Sequence, residues 1–286
     1  MARAADRIPE NADGDFFVDS SCIDCDLCRQ LAPATFARTD RRAQSYVAAQ
    51  PTDEQQQHRA LMALVTCPTS SIGTTRKLDT KAAARSLPEL VDGDVYFVGW
   101  AAESSYGAAS WLVRRPAGNV LVDSPRASST LMQRLEELGG VRLMFLTHRD
   151  DVADHDAFHE RFGCDRIVHR ADAVRGAERV IDGVGAVALA DDLMIVPVPG
   201  HTRGSAVLLY KDTYAFTGDH VWADDDQTGL EAGRDVCWYS WPEQKKSMAR
   251  LAEHRFSWVL PGHGRRFHAD SPDAMRAELL RLASAM

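Results

Sequence analysis

Two sets of metal-binding side chains occupy separate parts of this 286-residue sequence and limit its structure more than any other feature. Cys22, Cys25 and Cys28 form a Cys-x2-Cys-x2-Cys run, and Cys67-Pro68 follows much later in the chain. The second half instead concentrates histidines and aspartates. Thiolates suit an iron–sulfur cluster, whereas imidazole and carboxylate groups suit zinc or iron. The sequence therefore predicts two inorganic sites of different chemistry in one polypeptide.

Composition and charge limit the partners of the protein. The formal net charge is −8 and no block of Lys and Arg occurs, which argues against nucleic acid as a partner. No run approaches the roughly 18 apolar residues that a membrane helix requires. The first residues lack the apolar stretch of a signal peptide, and six cysteines in such a chain indicate thiolate ligands in a reducing compartment. We therefore expect a cytoplasmic protein with no membrane segment and a small-molecule substrate.

The pattern of apolar residues predicts two domains. Residues 1–78 are polar apart from short apolar runs, with a predicted helix over 54–65, and their small core would need a cluster as a cross-link. Residues 79–91 are predicted to be a linker. From residue 92 to 286, short strand-like runs closed by Gly, Asp, Thr or His alternate with helical segments, which predicts an α/β layered fold.

The cysteine spacing resembles that of single-cluster bacterial ferredoxins over roughly residues 15–73. In that family a remote Cys-Pro serves the same cluster as the three closely spaced cysteines. The resemblance implies a small α+β domain in which Cys22, Cys25, Cys28 and Cys67 hold one [4Fe–4S] cluster. A zinc site, a three-iron cluster without Cys25, and a purely structural cluster remain alternatives.

Three turns in the second half place a ligand-type residue directly after a glycine. Glycine lets the backbone bend sharply and aims the next side chain inward. The turns are Pro199-Gly200-His201, Thr217-Gly218-Asp219 and Pro261-Gly262-His263, and they follow a loop that runs from His148 to His155. Together they resemble the metallo-β-lactamase superfamily over about residues 92–268. That resemblance implies a four-layer αβ/βα sandwich with a dinuclear metal site at one edge.

The same resemblance implies a ligand set for two metal ions. The first ion would be held by His148, Asp150 and His201. The second would be held by Asp154, His155 and His263, with Asp219 bridging and with Asp154 and Asp219 as catalytic residues. The loop departs from the family pattern, since Asp150 replaces a histidine and two extra residues precede Asp154. Asp151 therefore competes with Asp150 as a ligand.

The carboxylate at position 150 bears on the identity of the metal. Hard oxygen ligands shift the preference from zinc towards iron or manganese. The flavodiiron proteins of the superfamily similarly carry a carboxylate at that place, and an attached electron carrier supplies their two irons. The resemblance implies two iron ions here, with zinc or manganese as alternatives, and a ferredoxin module in the place of that carrier.

Three functions remain open from the sequence. The favoured one is a redox enzyme whose dinuclear iron site receives electrons through the cluster, which in turn needs a redox partner. The second is a dinuclear hydrolase of esters, thioesters or amides, since glyoxalase II-like enzymes share the Gly-His-Thr and Gly-Asp turns. The third is a redox sensor or electron carrier in which the second site only stabilises the fold.

Overall fold

The computed structural model describes residues 2–40 and 42–286. They form two compact units, the first made of residues 1–115 and 125–140, the second of residues 116–124 and 141–286. The boundary between the units falls later than the predicted linker at 79–91. That segment carries a short helix and a strand of the first unit, with Leu87 fully buried between them.

Among its described residues, the first unit contains two two-stranded antiparallel sheets, a group of three antiparallel strands and four α-helices. Its strands are β1 (Phe16–Val18), β2 (Phe36–Thr39), β3 (Gln44–Val47), β4 (Ile72–Thr74), β5 (Glu89–Asp92), β6 (Val95–Phe97) and β7 (Trp111–Val113). Its helices are α1 (Leu27–Leu31), α2 (Glu54–Thr66), α3 (Lys81–Arg85) and α4 (Ser129–Glu137). Strand β1 pairs with β4, β2 pairs with β3, and β6 pairs with both β5 and β7.

Cys67, the remote cysteine of the motif, lies directly after the last turn of helix α2. The Asp53 side chain accepts a hydrogen bond of 2.8 Å from the Gln56 amide and so caps the first turn. The helix extends one residue beyond its predicted end and stops at Thr66, because Cys67 turns out of the helical conformation before Pro68.

The second unit contains a group of four parallel strands, a six-stranded sheet, a two-stranded sheet and three α-helices. Its strands are β8 (Val120–Val122), β9 (Leu143–Phe145), β10 (Asp165–His169), β11 (Arg179–Ile181), β12 (Val187–Ala190), β13 (Leu193–Pro197), β14 (Ala206–Tyr210), β15 (Tyr214–Gly218), β16 (Trp222–Ala223), β17 (Leu230–Glu231), β18 (Trp258–Pro261) and β19 (Phe267–His268). Its helices are α5 (His155–Phe162), α6 (Trp241–Leu251) and α7 (Pro272–Ala285). Strands β8 to β11 pair in parallel, and the other sheet has the order β12-β13-β14-β15-β18-β19, while β16 and β17 form a separate ribbon.

Strand directions explain why the ligand-type residues of the second unit can meet. Strands β13 and β15 are both antiparallel to β14, and β15 is parallel to β18. The three strands therefore run in one direction, and the turns that follow them lie at the same edge of the sheet. Those turns carry His201, Asp219 and His263.

Helices α6 and α7 cover one face of this sheet. Met248 and Leu251 of α6 and Leu279 of α7 belong to the same buried cluster as Val207 and Val259 of the sheet. All five residues of β14 are buried, as expected for a central strand with both faces covered. Among the described residues, no helix is both long enough and apolar enough to cross a membrane.

Truncation of the central strand should destabilise the second unit. Leu208 of β14 is fully buried between Ile195 and Phe216 of the neighbouring strands, so Leu208→Ala should lower the free energy of unfolding by roughly 2–5 kcal/mol. Val184, which is 62% exposed, provides the control, and Val184→Ala should stay within about 0.5 kcal/mol. Chemical denaturation measures both values, and equal effects would contradict the assigned core.

Candidate metal centres

The four cysteines of the motif line a single cavity in the first unit. Cys22, Cys25, Cys28 and Cys67 face it together with Ser45 and neighbouring residues. All four are free thiols. Burial raises the pKa of Cys25 to about 12 and also raises the pKa values of Cys22 and Cys28. Cys22, Cys25 and Cys28 are therefore neutral thiols until a metal displaces their protons, which is the behaviour expected of thiolate ligands.

An arginine organises the loop that carries three of these cysteines. Asp24 and Asp26 both adopt left-handed backbone conformations, with φ of 60° and 65°. The Arg29 guanidinium donates to both carboxylates, at 2.7 Å to Asp24 Oδ1 and more closely to Asp26 Oδ1. Asp and Asn tolerate this conformation better than most residues. The ion pairs therefore hold a loop shape that turns the three thiols towards the cavity.

Backbone amides point at two of the sulfur atoms. The Ser45 amide lies 3.4 Å from Cys22 Sγ, and the Ser71 amide lies 3.3 Å from Cys67 Sγ. Hydrogen bonds to ligand sulfur stabilise negative charge on it and tune the reduction potential of a bound cluster. The donor set and its surroundings thus fit a [4Fe–4S] cluster.

Two histidines and two aspartates surround a common point in the second unit. Asp150 Oδ2 lies 3.9 Å from His148 Nε2 and 3.5 Å from His201 Nε2. Asp219 Oδ2 lies 3.7 Å from each of the same two nitrogens. Donor atoms about 2.1 Å from a tetrahedral metal lie about 3.4 Å apart, so these separations are close to those of a coordination shell.

Buried atoms without hydrogen-bond partners mark the same place. They are His148 Nε2, both ring nitrogens of His201 and both carboxylate oxygens of Asp151. Leaving such groups unsatisfied in the interior costs about 1–3 kcal/mol each. Burial lowers the pKa of His148 to about 4, so its imidazole is neutral and can bind a metal. These residues fit a metal ion bound among them.

A hydrogen-bond chain fixes the orientation of His148. Asp123, directly after β8, accepts from the Thr147 amide at 2.8 Å and from Thr147 Oγ1 at 3.0 Å. Thr147 Oγ1 in turn lies 3.0 Å from His148 Nδ1. With the threonine hydroxyl donating to Asp123, its oxygen accepts the Nδ1 proton, and Nε2 is left with a lone pair facing the site.

A second buried aspartate links the loops that carry His148 and His201. Asp172 accepts a hydrogen bond from the Arg149 amide at 3.2 Å, another from the Gly204 amide at 2.9 Å, and a closer one from the Thr202 hydroxyl. It therefore fixes the residues that immediately follow both histidines. Sequence reasoning missed Asp172, because a single Asp after a strand carries no recognisable pattern.

The loop between residues 150 and 155 differs from the predicted ligand assignment. Asp154 is exposed at the start of α5. His155 Nδ1 lies 2.8 Å from the Arg166 guanidinium and 3.5 Å from Asp156. Neither residue belongs to the groups of possible metal ligands among the described residues, and α5, which begins at His155, directs the His155 side chain to Arg166 of β10.

Asp151 occupies the interior position instead. Its carboxylate is 1% exposed, and Oδ2 lies 3.9 Å from His148 Nε2. A Cβ atom on Gly262 would lie 2.6 Å from Asp151 Oδ2 and 3.0 Å from Asp219 Oδ1, so a glycine is needed for both carboxylates to lie against this turn. Burial raises the pKa of Asp151 well above its usual value, and the charge of Asp219 adds to the effect.

His263 contacts Asp219 at the edge of the group. Its Nδ1 lies 2.9 Å from both carboxylate oxygens of Asp219, and its amide donates to Oδ1 at 3.1 Å. Burial alone would raise the pKa of Asp219, but the facing His263 and the other histidines hold it well below the usual range. Asp219 is therefore an anionic centre between His148, His201 and His263. The adjacent His220 is fully buried, and burial lowers its pKa to about 3.

An exposed aromatic segment lies beside His201. The Trp238 ring packs edge-on against the His201 ring with centroids 6.2 Å apart, yet Trp238 remains 63% exposed. The Tyr239 amide donates to the His201 carbonyl at 3.0 Å, and Cys237 Sγ lies 3.1 Å from the Gly200 carbonyl. The segment is thus an apolar wall next to the site rather than part of the core.

Residues 18–74 match the family model described as the 4Fe-4S single cluster domain of Ferredoxin I. Several metallo-β-lactamases of known structure match the chain. BLEG-1, a B3 metallo-β-lactamase, is 16% identical, with a TM-score of 0.51 over 66% of this chain and 99% of that protein. VMB-1 is also 16% identical, with a TM-score of 0.50 over 69% and 97% of the two chains. The chain joins a single-cluster ferredoxin domain to a metallo-β-lactamase fold.

ETHE1 from Myxococcus xanthus is 21% identical, with a TM-score of 0.48 over 66% of this chain and 84% of that one. Identities this low establish the fold and not the chemistry. No curated protein is similar enough in sequence to count as a relative. The predicted fold class and the ferredoxin–metallo-β-lactamase combination are confirmed, and the roles of individual site residues stay predictions.

Loss of the threonine hydroxyl should weaken metal binding in the metallo-β-lactamase fold. Thr147→Val removes the bridge between Asp123 and His148 with little change in volume, and we expect metal affinity to fall roughly 10–100-fold. Thr147→Ser keeps the hydroxyl and serves as the control. Competition with a chromophoric chelator measures both variants, and equal affinities would show that this hydrogen-bond chain does not orient the ligand.

Proposed function

We propose that this protein is a metal-dependent redox enzyme, with an iron ion in the second unit that receives electrons from the [4Fe–4S] cluster of the first. Its small-molecule substrate would be dioxygen or an organic compound, and an external redox partner would reduce the cluster. The observation that carries the proposal is the group of His148, His201, Asp150 and Asp219, whose nitrogen–oxygen separations are 3.5–3.9 Å.

The donor types support iron over zinc. Two histidines and a carboxylate that leave other positions open are typical of non-haem Fe(II) sites that react with oxygen. His148, Asp150 and His201 provide that combination within one group. Asp150 is half-exposed, with 46% of its side chain accessible, so solvent and small molecules can reach this side of the group.

The geometry favours one tightly held ion over the predicted pair. The second group of possible ligands consists of His148, Asp151 and Asp219, and it uses the same His148 Nε2 as the first group. One imidazole nitrogen binds one ion, so the two groups cannot both be complete at once. Asp154 and His155 are in neither group, so we assign a single iron, with Asp151 and His263 beside it.

The residues around this iron have distinct proposed roles. The bound iron would supply an open coordination position at which the substrate is activated for reduction. Asp219 brings the negative charge that holds the cation between the two histidines. Burial raises the pKa of Asp151 in the metal-free chain and so favours a proton on its carboxyl group, which would suit it to hold or release a proton beside the reaction site. Trp238 forms an apolar wall for the substrate on the His201 side.

A metal-dependent hydrolase is the competing function. Buried carboxylates beside a metal also suit a hydroxide nucleophile, and the glycine turns are compatible with it. Its signature would be zinc in place of iron in the second unit. The cluster would then be structural or regulatory.

The metal content of anaerobically purified protein tests the proposal. We expect about five irons per chain, four in the cluster and one at the histidine site, because hard carboxylates accompany the two imidazoles. Elemental analysis combined with Mössbauer spectroscopy distinguishes the two kinds of iron. Four irons with one or two zincs, together with esterase activity, would replace the redox proposal with the hydrolase.

Two aspartates near each other in sequence provide a matched comparison. Asp150→Ala should remove a ligand, so the non-cluster iron and the associated activity should fall at least 10-fold. Asp154→Ala changes an exposed residue at the start of α5 and should leave the iron content unchanged. If Asp154→Ala also loses non-cluster metal, the dinuclear assignment implied by the sequence resemblance is correct and the single-iron assignment is wrong.

A further inference from the structure

A segment outside the ferredoxin family match lies against the cysteine site. Residues 98–110 connect β6 to β7 in the first unit, beyond the residues 18–74 that match the cluster family, and Gly107 lies in this connection. A Cβ atom on Gly107 would lie 2.5 Å from Cys25 Cβ, 3.0 Å from Cys25 Sγ and 3.1 Å from Pro68 Cγ. Gly107 therefore packs against Cys25 and Pro68, two residues that line the cysteine cavity.

A second glycine of the same connection approaches the end of helix α2. A Cβ atom on Gly99 would lie 3.2 Å from Thr66 Oγ1 and 2.8 Å from Leu87 Cδ1. Thr66 is the residue before Cys67, so this contact is independent of the one at Gly107. Both glycines have positive φ, 75° at Gly99 and 84° at Gly107. Glycine is favoured there by the backbone conformation as well as by the short distances.

Arg126 adds a polar link to the same region. Its guanidinium donates to the Val65 carbonyl at 3.2 Å, and its amide donates to the Trp100 carbonyl at 2.8 Å. The last turn of α2 is thereby joined to the connection that contains Gly99 and Gly107. The carbonyls at a helix end need such partners when no further turn follows.

We propose that residues 99–108 form a layer packed behind the Cys25 and Thr66 side of the cluster site, and that Gly107 permits the close approach that shields this side from water. The match to a ferredoxin domain therefore covers the ligands but not the whole environment of the cluster. Shielding has a redox consequence, because reduction adds negative charge to the cluster and an environment with little water disfavours that charge. Packing of residues 99–108 behind Cys25 therefore keeps the reduction potential of the cluster lower than in a site open to water.

The test compares two Gly→Ala variants of the full-length chain. Gly107→Ala places a methyl group against Cys25 and Pro68, whereas Gly183→Ala has nothing within 4 Å and nearly the same φ, 82° against 84°. Backbone strain is therefore matched, and only the contact differs. We expect Gly107→Ala to shorten the lifetime of the cluster absorption in air roughly 10-fold and to shift its reduction potential to a more positive value. Gly183→Ala should behave like the unmodified protein.

Hydrogen exchange provides a measurement that needs no variant. In the unmodified chain, binding of the cluster should slow exchange several-fold in a peptide covering residues 102–108, and leave a reference peptide covering residues 181–186 unchanged. Equal cluster lifetimes in the two Gly→Ala variants, or no change in exchange at 102–108, would overturn the proposal. Neither readout involves the His148–His201 site, so failure of the proposed redox function would leave both results as predicted.

Discussion

Burial of donor atoms without protein partners is the constraint on which both sites depend. In the second unit, His148, His201 and Asp151 all present buried nitrogen or oxygen atoms that no described residue satisfies. In the first unit, burial raises the pKa of Cys22, Cys25 and Cys28, so that separate charged thiolates are disfavoured there. Each arrangement is unfavourable by itself and becomes favourable when a cation neutralises the donors. Folding and metal binding are therefore linked at both centres.

The chemistry of the second site depends on its carboxylates. Asp219 is held as an anion by the surrounding histidines, whereas burial favours the protonated form of Asp151 a short distance away. When the surroundings lower the pKa of one carboxyl group and raise that of its neighbour, one group can bind a cation while the other accepts or releases a proton. The Asp123–Thr147–His148 chain extends this organisation to the imidazole, since it determines which ring nitrogen faces the metal position.

The sequence predicted the features that depend on strand ends and on cysteine spacing. The turns that carry His201, Asp219 and His263 follow strands that run in the same direction, so their convergence follows from topology. The loop from 148 to 155 was less predictable, because the two extra residues determine where α5 begins. That start directs His155 to Arg166 and leaves Asp154 exposed, and Asp151 takes the interior position. The contact between Gly107 and Cys25 joins residues far apart in sequence, and no local pattern reports it.

Residues 99–108 also affect how this architecture could be reused. A fragment cut at the end of the recognised ferredoxin segment would keep all four cysteines but lose the surface that Gly99 and Gly107 present to Thr66 and Cys25. Transfer of residues 18–74 to another protein would therefore keep the cysteine ligands but lose the residues that pack behind them. A successful graft would have to include the chain through Arg126. The segment that must be transferred is therefore longer than the residues 18–74 that match the ferredoxin family.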